Sequence, residues 1–168
     1  MRSEEFRSRV WAPLQGRIGL GGSIGASALL FAAGGLELGI VYWGLAGVCA
    51  VVAVWCGSFT VLVVVSDGQL RISAGGVRVM RTTVERIERV APVVDLKDDW
   101  GSRHLFGLNT VFDGRVQAVA GLPVVQINAG RRSVVASVRD WERLVQVVQE
   151  LGAELDGRES VGVRSYIL

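Results

Sequence analysis

Residues that could carry out catalysis are scarce in this chain of 168 residues. His104 is the one histidine, so a Ser-His-Asp or Cys-His arrangement would have to use it. Cys49 and Cys56 are the two cysteines, and both lie in an apolar segment that is remote in sequence from His104. Because nucleophilic catalysis needs a nucleophile and a base within hydrogen-bond reach, the sequence predicts a protein that is not an enzyme.

Metal ligands and disulfide partners are scarce as well. Asp95, Asp98 and Asp99 supply carboxylates, but their spacing lacks the Asp-x-Asp-x-Asp-Gly pattern and the later glutamate of a calcium loop. Two cysteines seven residues apart on a helix are about 10 Å from each other, whereas a disulfide needs Cα atoms within about 7 Å. We therefore expect no disulfide, no metal and no other cofactor.

Charge is distributed unevenly along the chain. Between Ile18 and Ser66 the one acidic or basic side chain is Glu37, so this stretch requires apolar surroundings. From Asp67 to Leu168 there are 14 arginine and lysine residues against 13 aspartate and glutamate residues, and the two signs are intermixed. Nucleic-acid-binding domains normally carry a surplus of basic residues on one face, so this composition argues against nucleic acid as a partner.

Two apolar segments predict a hairpin of transmembrane helices over residues 18–59. Ile18 to Leu36 provides 19 uncharged residues, and such a helix of about 28 Å matches a hydrocarbon core of about 30 Å. Leu38 to about Phe59 provides the second span, with Glu37 at the tight turn between them. A cleaved signal peptide is the alternative for the first span, but signal peptides have a shorter apolar region of about 7–15 residues.

Aromatic, basic and small residues mark the expected boundaries and packing of the hairpin. Rings that are partly polar collect at membrane interfaces, as do basic side chains. Gly21 and Gly25 would let one face of the first helix approach a neighbour closely, although a general richness in glycine explains this spacing equally well. The predicted membrane-interface residues are Arg7, Arg9, Trp11, Tyr42, Trp43 and Trp55.

The residues before the first span predict its orientation. Residues 1–17 contain four arginines and two glutamates, and segments rich in arginine stay in the cytoplasm. Two crossings then return the chain to the cytoplasm. We expect a multi-pass protein of the inner (plasma) membrane with both termini cytoplasmic, in which segment 1–17 lies at the interface with Trp11 at headgroup depth.

Residues 60–155 are predicted to form a cytoplasmic domain that is rich in short strands. Alternating apolar and polar residues with tight-turn signals are typical of antiparallel hairpins, and the clearest of these surrounds Gly130. Asp95 to Asn109 is polar and irregular. Val84 to Val94 fits a strand with a bulge or a helical turn, and we predict a strand there. The other predicted strands are Thr60 to Val65, Gln69 to Ser73, Val77 to Met80, Val116 to Val119, Pro123 to Asn128 and Ser133 to Val138.

The last predicted element is an amphipathic helix. Apolar residues recur at helical spacing from Val138 to Leu151, so one face of the helix is expected to be buried. Ser137 is the predicted N-cap, with Asp140 three residues on, and Gly152 ends the helix. Residues 156–168 are expected to form a mobile tail.

This order of elements is that of a pleckstrin-homology-like (PH-like) domain. The predicted fold class is therefore an α-helical transmembrane hairpin plus an α+β domain, with a PH-like antiparallel meander or partly open barrel capped by a C-terminal helix. The chain also resembles a family of actinobacterial membrane proteins with two spans, related in plan to the bacterial membrane-anchored PH-like proteins. Three stretches carry the resemblance: Phe6-Arg-Ser-Arg-Val-Trp-Ala-Pro13, Asp67-Gly-Gln-Leu-Arg-Ile72, and Ser133 to Leu151.

Phosphoinositides are the ligands commonly associated with PH-like domains. Their recognition needs basic residues in the first hairpin, where they pair with phosphates. The first predicted turn is Ser66-Asp67-Gly68-Gln69, with Arg71 as the nearest base. This acidic turn argues against a phosphoinositide ligand.

A membrane-tethered interaction module, such as an accessory or assembly subunit of a larger membrane complex, is the function that the sequence favours. The alternative is a lipid-binding or envelope-stress-sensing protein that reads the bilayer through the Trp11 segment and the hairpin. The expected partners are membrane lipids and another membrane protein or complex, with no small-molecule substrate evident. The candidate partner loop contains Asp98, Asp99, Trp100, Arg103 and His104.

Overall fold

The computed structural model describes residues 4–93, 107–111, 115–121 and 123–155. The chain divides into two compact units, Pro13–Phe59 and a second that combines Met1–Ala12 with Thr60–Leu168. The expected combination of two apolar helices, antiparallel sheets and a C-terminal helix is confirmed. In chain order the elements are β1 Glu4–Trp11, α1 Leu14–Leu38, α2 Ile40–Gly57, β2 Thr60–Ser66, β3 Gln69–Ala74, β4 Val77–Thr83, a 3₁₀ turn Val84–Arg86, β5 Ile87–Pro92, β6 Gly107–Val111, β7 Arg115–Val119, β8 Val124–Ala129, β9 Arg132–Ser137 and α3 Trp141–Glu150.

The helical unit is an antiparallel pair joined by a single residue, Gly39, at φ 93°. A residue with a side chain rarely adopts that conformation, which explains a glycine at the turn. At the other end, Arg17 Nε near the start of α1 donates a hydrogen bond to the carbonyl oxygen of Gly57, the last residue of α2. The last carbonyls of a helix lack partners within the helix and carry partial negative charge, so this arginine stabilises the end of α2.

Glycines of α1 allow close contact with α2 at both ends of the pair. A Cβ atom at Gly21 would lie 3.4 Å from the carbonyl oxygen of Ala53, whereas one at Gly25 would meet nothing within 4 Å. Near the turn, a Cβ at Gly35 would lie 2.8 Å from Nε1 of Trp43. Of the two glycines predicted to pack, Gly21 therefore faces α2 and Gly25 does not, while Gly35 makes the tightest approach.

The strand unit contains two sheets. The first has the order β1-β2-β3-β4, with every neighbouring pair antiparallel. The second has the order β5-β8-β9-β7-β6, in which β7 and β9 are parallel and the other pairs are antiparallel. The hairpin predicted around Gly130 is the β8–β9 pair, and β6 lies partly in the segment that was expected to be irregular.

Strand β1 is the main departure from the expected architecture. Residues 1–17 are predicted to form a separate interfacial segment, but β1 pairs with β2 from Glu4 to Trp11. Phe6, Ser8 and Val10 are buried, whereas Arg7 and Arg9 between them are exposed. The alternation of buried and exposed residues therefore has the period of a strand. The pairing of β1 with β2 could not be predicted from local sequence, because β2 lies about 50 residues later, beyond both helices.

The core of the strand unit is built from aliphatic side chains on the inward faces of both sheets and on α3. Val61, Val63 and Val65 of β2 are fully buried at alternating positions. Helix α3 lies against β1 and β5 and buries Leu144, Val147 and Val148. The amphipathic C-terminal helix expected from the sequence therefore has a buried face.

Ser137 does not cap this helix. It is the last residue of β9, and Asp140 occupies the N-cap position of α3 without a side-chain hydrogen bond. The fully buried Ser137 Oγ instead accepts hydrogen bonds from the backbone amides of Ala120, at 2.8 Å, and Gly121, at 3.0 Å. The hydroxyl is occupied by the segment that follows β7, so the helix begins three residues later than a Ser137 cap would imply.

Substituting Gly35 and Gly25 separately by alanine tests the packing of the helix pair. Gly35→Ala is expected to destabilise the pair by about 1–3 kcal/mol, because the new methyl group overlaps the Trp43 ring. Gly25→Ala meets open space and should raise stability by up to about 1 kcal/mol through helix propensity. The free energy of unfolding in mixed detergent micelles measures both, and equal effects would contradict the described packing.

Ser137→Ala is expected to lower the stability of the strand unit by about 2 kcal/mol or more, because two amides near Ser137 would lose their acceptor. Ser73→Ala is the matched control, because Ser73 lies on the partly exposed outer face of β3. Chemical denaturation followed by circular dichroism gives both values. A loss at Ser137 no larger than that at Ser73 would show that the buried hydroxyl is dispensable.

Candidate functional site

The predicted site residues fall into three groups. The candidate partner loop, with Asp98, Asp99, Trp100, Arg103 and His104, lies outside the described residues. The predicted membrane-interface residues of α2 are Tyr42 and Trp43 near the turn and Trp55 near the other end, where its ring meets Phe59 edge-on at 5.6 Å. The remaining three, Arg7, Arg9 and Trp11, lie on the outer face of β1.

The helical unit exposes most of its large apolar side chains. Helices α1 and α2 contain the stretches Arg17–Gly35 and Ile40–Gly57, with mean hydropathy 1.5 and 2.0, which are long and apolar enough to cross a membrane. Only 6% and 11% of these stretches is buried within the protein. Ile40 is 86% exposed and Leu30 is 75% exposed. A core helix of a water-soluble domain would bury one face, so the exposure of both helices is consistent with membrane spans.

A row of arginines crosses the outer face of the first sheet. Arg7 is opposite Val64, Val64 is opposite Arg71, and Arg71 is opposite Arg81, so the row runs from β1 to β4. Like charges placed directly opposite each other on neighbouring strands destabilise a sheet. The Arg71–Arg81 pair therefore carries an electrostatic cost that folding alone does not require.

Gln69 lies between these two guanidinium groups. Its Oε1 accepts a hydrogen bond from Arg81 Nε at 2.9 Å and another from Arg71 Nη2 at 3.4 Å. Arg71 Nε is buried and has no hydrogen-bond partner among the described residues. Because a glutamine amide is neutral, it orients both guanidinium groups without cancelling their charge.

An open depression of about 540 Å³ lies at this end of the first sheet and reaches the β8–β9 turn. We call it the arginine depression. The turn supplies two of its arginines, because pairing of Ala129 with Arg132 leaves Gly130 and Arg131 as a two-residue loop. Gly130 has φ 57°, the left-handed conformation that a tight hairpin turn demands and glycine adopts easily. The lining residues are Gln69, Arg81, Thr82, Thr83, Arg86, Ala129, Gly130, Arg131 and Arg132.

A second, shallower depression adjoins it across the same turn. It shares Gly130, Arg131 and Arg132 with the first and is otherwise polar, with Glu88 as its one acidic lining residue. Gln126, Asn128 and Ser133 form a hydrogen-bonded cluster on its floor, with distances of 2.7–3.1 Å. Glu88 is thus the single carboxylate among the residues that line the two depressions.

The arginine depression is lined mainly by groups that donate hydrogen bonds. Its lining residues provide four guanidinium groups, two threonine hydroxyls and one amide, and they include no carboxylate, imidazole or thiol. No group of three or more histidine, cysteine, aspartate or glutamate residues among the described residues is arranged to hold a metal ion. Such a set of donors favours a multiply charged anion.

The arginine depression was not predicted from the sequence. Arg81, Arg86 and the pair Arg131-Arg132 come from three segments that only the packing of the two sheets brings together. The one signal in the sequence was the Arg131-Arg132 pair at a predicted turn, where consecutive basic side chains must lie on the surface. Comparison with known proteins found no match to this chain among protein-family models, curated proteins or solved structures.

Proposed function

We propose that this chain is a non-enzymatic integral membrane protein whose helix pair anchors a PH-like interaction module on the cytoplasmic face of the inner (plasma) membrane. The observation that carries the proposal is the insertion of an exposed apolar helix pair between two strands, β1 and β2, that pair with each other. The module would act as an accessory or assembly subunit of a larger membrane complex.

The dimensions of the helices support a membrane-spanning pair. With 25 and 18 residues, α1 and α2 are about 37 Å and 27 Å long, against a hydrocarbon core of about 30 Å. Pairing of β1 with β2 argues for two crossings, because the residues before α1 and after α2 must then lie on the same side. It also argues against a cleaved signal peptide, since cleavage would remove an edge strand of the sheet.

Charge supports an orientation with both flanking segments in the cytoplasm. Residues 1–17 carry four arginines, whereas residues 36–39 at the turn between the helices contain Glu37 and no basic residue. Basic residues close to the ends of a span favour the cytoplasmic side.

The order of strands supports a PH-like domain with two additions. Strands β1 to β4 form a meander, β5, β8 and β9 continue in antiparallel order, and α3 follows. The helix pair occupies the first connection of the meander, and the hairpin of β6 and β7 joins the second sheet through its parallel pairing with β9. The acidic turn at Asp67 is then the second connection of the meander and not the first, so its charge is weaker evidence against a phosphoinositide ligand.

Strand edges support a role in binding another protein. Strands β4 and β1 are the edges of the first sheet, and β5 and β6 are the edges of the second. An extended segment of a partner can add to such an edge through backbone hydrogen bonds. We propose this mode, together with the segment 95–109, as the contact with a membrane partner.

One observation favours the alternative of a lipid sensor. Trp11 is 44% exposed, and it lies on the same face of β1 as Arg7 and Arg9, three residues before the start of α1. Tryptophan and arginine together are typical of headgroup contact.

Cysteine labelling in intact cells tests the orientation. In a background with Cys49→Ala and Cys56→Ala, Glu150→Cys on the exposed part of α3 should react with an impermeant maleimide only after the membrane is opened. Glu37→Cys should react in intact cells, because it precedes the turn that would lie outside. Labelling of Glu150→Cys in intact cells would invert the topology.

Purification in mild detergent at native expression tests the interaction module. We expect a second membrane protein to co-elute, both with the wild-type chain and with the Trp11→Ala variant. A lipid sensor would instead elute alone, with one lipid class enriched, and Trp11→Ala would abolish that enrichment. Recovery of a monomer without partner or enriched lipid would contradict both functions.

A further inference from the structure

We propose that the arginine depression binds a soluble ligand that carries two or more phosphate groups. The binding groups would be the guanidinium groups of Arg81, Arg86, Arg131 and Arg132, which line the depression from the end of β4, the 3₁₀ turn and the β8–β9 turn. This site goes beyond a role as a protein-binding module, since it concerns a different surface and a different class of ligand.

The first argument is the imbalance of charge. The lining of the two adjoining depressions includes four arginines and one carboxylate, Glu88, although the domain as a whole is close to neutral. Mutual repulsion among cations gathered on one surface costs stability, and a bound polyanion removes that cost. A local surplus of one sign within a balanced domain is therefore better explained by a ligand than by composition.

The second argument is the orientation of the donors. Gln69 accepts a hydrogen bond from Arg81 Nε, which leaves the two terminal nitrogens of Arg81 to interact with a ligand. Guanidinium groups bind phosphate through two parallel N–H bonds, and a neutral amide holds the group in place without competing as a counter-ion. A glutamate at position 69 would instead neutralise the site.

The third argument is size. The volume of about 540 Å³ lies within the range of about 300–1,000 Å³ found for small-molecule sites, and it exceeds what one phosphate ion occupies. Four guanidinium groups also exceed the two or three that a single phosphate engages. A ligand with several phosphates matches both the volume and the number of donors.

The fourth argument concerns the source of the phosphates, and it rests on the proposed function. Strand β2 begins at Thr60, opposite Trp11, where the chain passes into the helices, and it ends at Ser66, opposite Gln69 of the depression. A strand of this length spans about 20 Å. The depression thus lies at the end of the sheet opposite the two chain junctions, Trp11 and Thr60, and we propose a soluble ligand as the source of the phosphates.

Binding of inorganic pyrophosphate to the full chain in nonionic detergent, measured by isothermal titration calorimetry, tests the site. The double variant Arg131→Gln with Arg132→Gln should weaken binding by at least about tenfold, because each charge-assisted contact contributes roughly that factor. Arg86→Gln should weaken it by a smaller factor. The double variant Arg139→Gln with Arg143→Gln is the matched control, because both arginines are exposed and neither lines the depression.

The outcomes distinguish specific binding at the depression from nonspecific electrostatic attraction, and a soluble ligand from lipid headgroups. No binding by the wild-type chain would overturn the proposal. Equal losses for the Arg131/Arg132 double variant and the Arg139/Arg143 double variant would overturn it as well. Unchanged melting temperatures establish that the variants are folded. The titration is then repeated in nanodiscs of phosphatidylcholine with and without phosphatidic acid. Equal affinities support a soluble ligand, whereas weaker pyrophosphate binding with phosphatidic acid would assign the depression to lipid headgroups and overturn the soluble source. These readouts do not depend on whether a partner protein co-purifies.

Discussion

The pairing of β1 with β2 is the constraint on which the rest of the structure depends. It joins residues on either side of the helical unit, with Trp11 opposite Thr60 at the end where the chain passes into and out of the helices. Because β1 is an edge strand that contributes Phe6, Ser8 and Val10 to the core, the sheet is incomplete without it. The helix pair is therefore a connection within the domain, and it meets the sheet through two covalent junctions instead of one.

This arrangement lowers the entropic cost of closing the sheet. Bringing together two strands separated by a flexible loop of about 50 residues costs about 3 kcal/mol or more. The helix pair removes much of that cost, because Arg17 and the close approach of Gly35 to Trp43 fix α1 beside α2 and bring the two junctions to the same end. Stability of the helix pair and formation of the β1–β2 ladder should consequently support each other.

Local patterns were sufficient to predict most elements but not the long-range pairings. The strands β2, β3, β4, β8 and β9 follow from period-2 spacing with glycine turns, because each pairs with a near neighbour in sequence. The α3 helix follows from its own apolar spacing, although the strands it packs against, β1 and β5, are distant in sequence. Strand β1 was not predicted, because its alternating arginines are also typical of a segment at the membrane interface. The prediction that Ser137 caps α3 was wrong, because a serine before an apolar helical pattern is typical of a cap. The amides of Ala120 and Gly121, which donate hydrogen bonds to Ser137, come from the connection after β7 and could not be foreseen from local sequence.

The arginine depression shows why net charge is a weak guide to the ligands of a small domain. Counting residues 67–168 gives nearly equal numbers of both signs, which argues against a uniformly basic surface of the kind that follows a nucleic-acid backbone. A discrete anion site needs only a few guanidinium groups within reach of one ligand, and the Debye length of about 8 Å limits the influence of more distant carboxylates. Folding gathers Arg81, Arg86, Arg131 and Arg132 around one depression, and a neutral Gln69 holds Arg81 in place. The proposed anion site is therefore a product of the tertiary structure, formed where the end of β4 meets the β8–β9 turn.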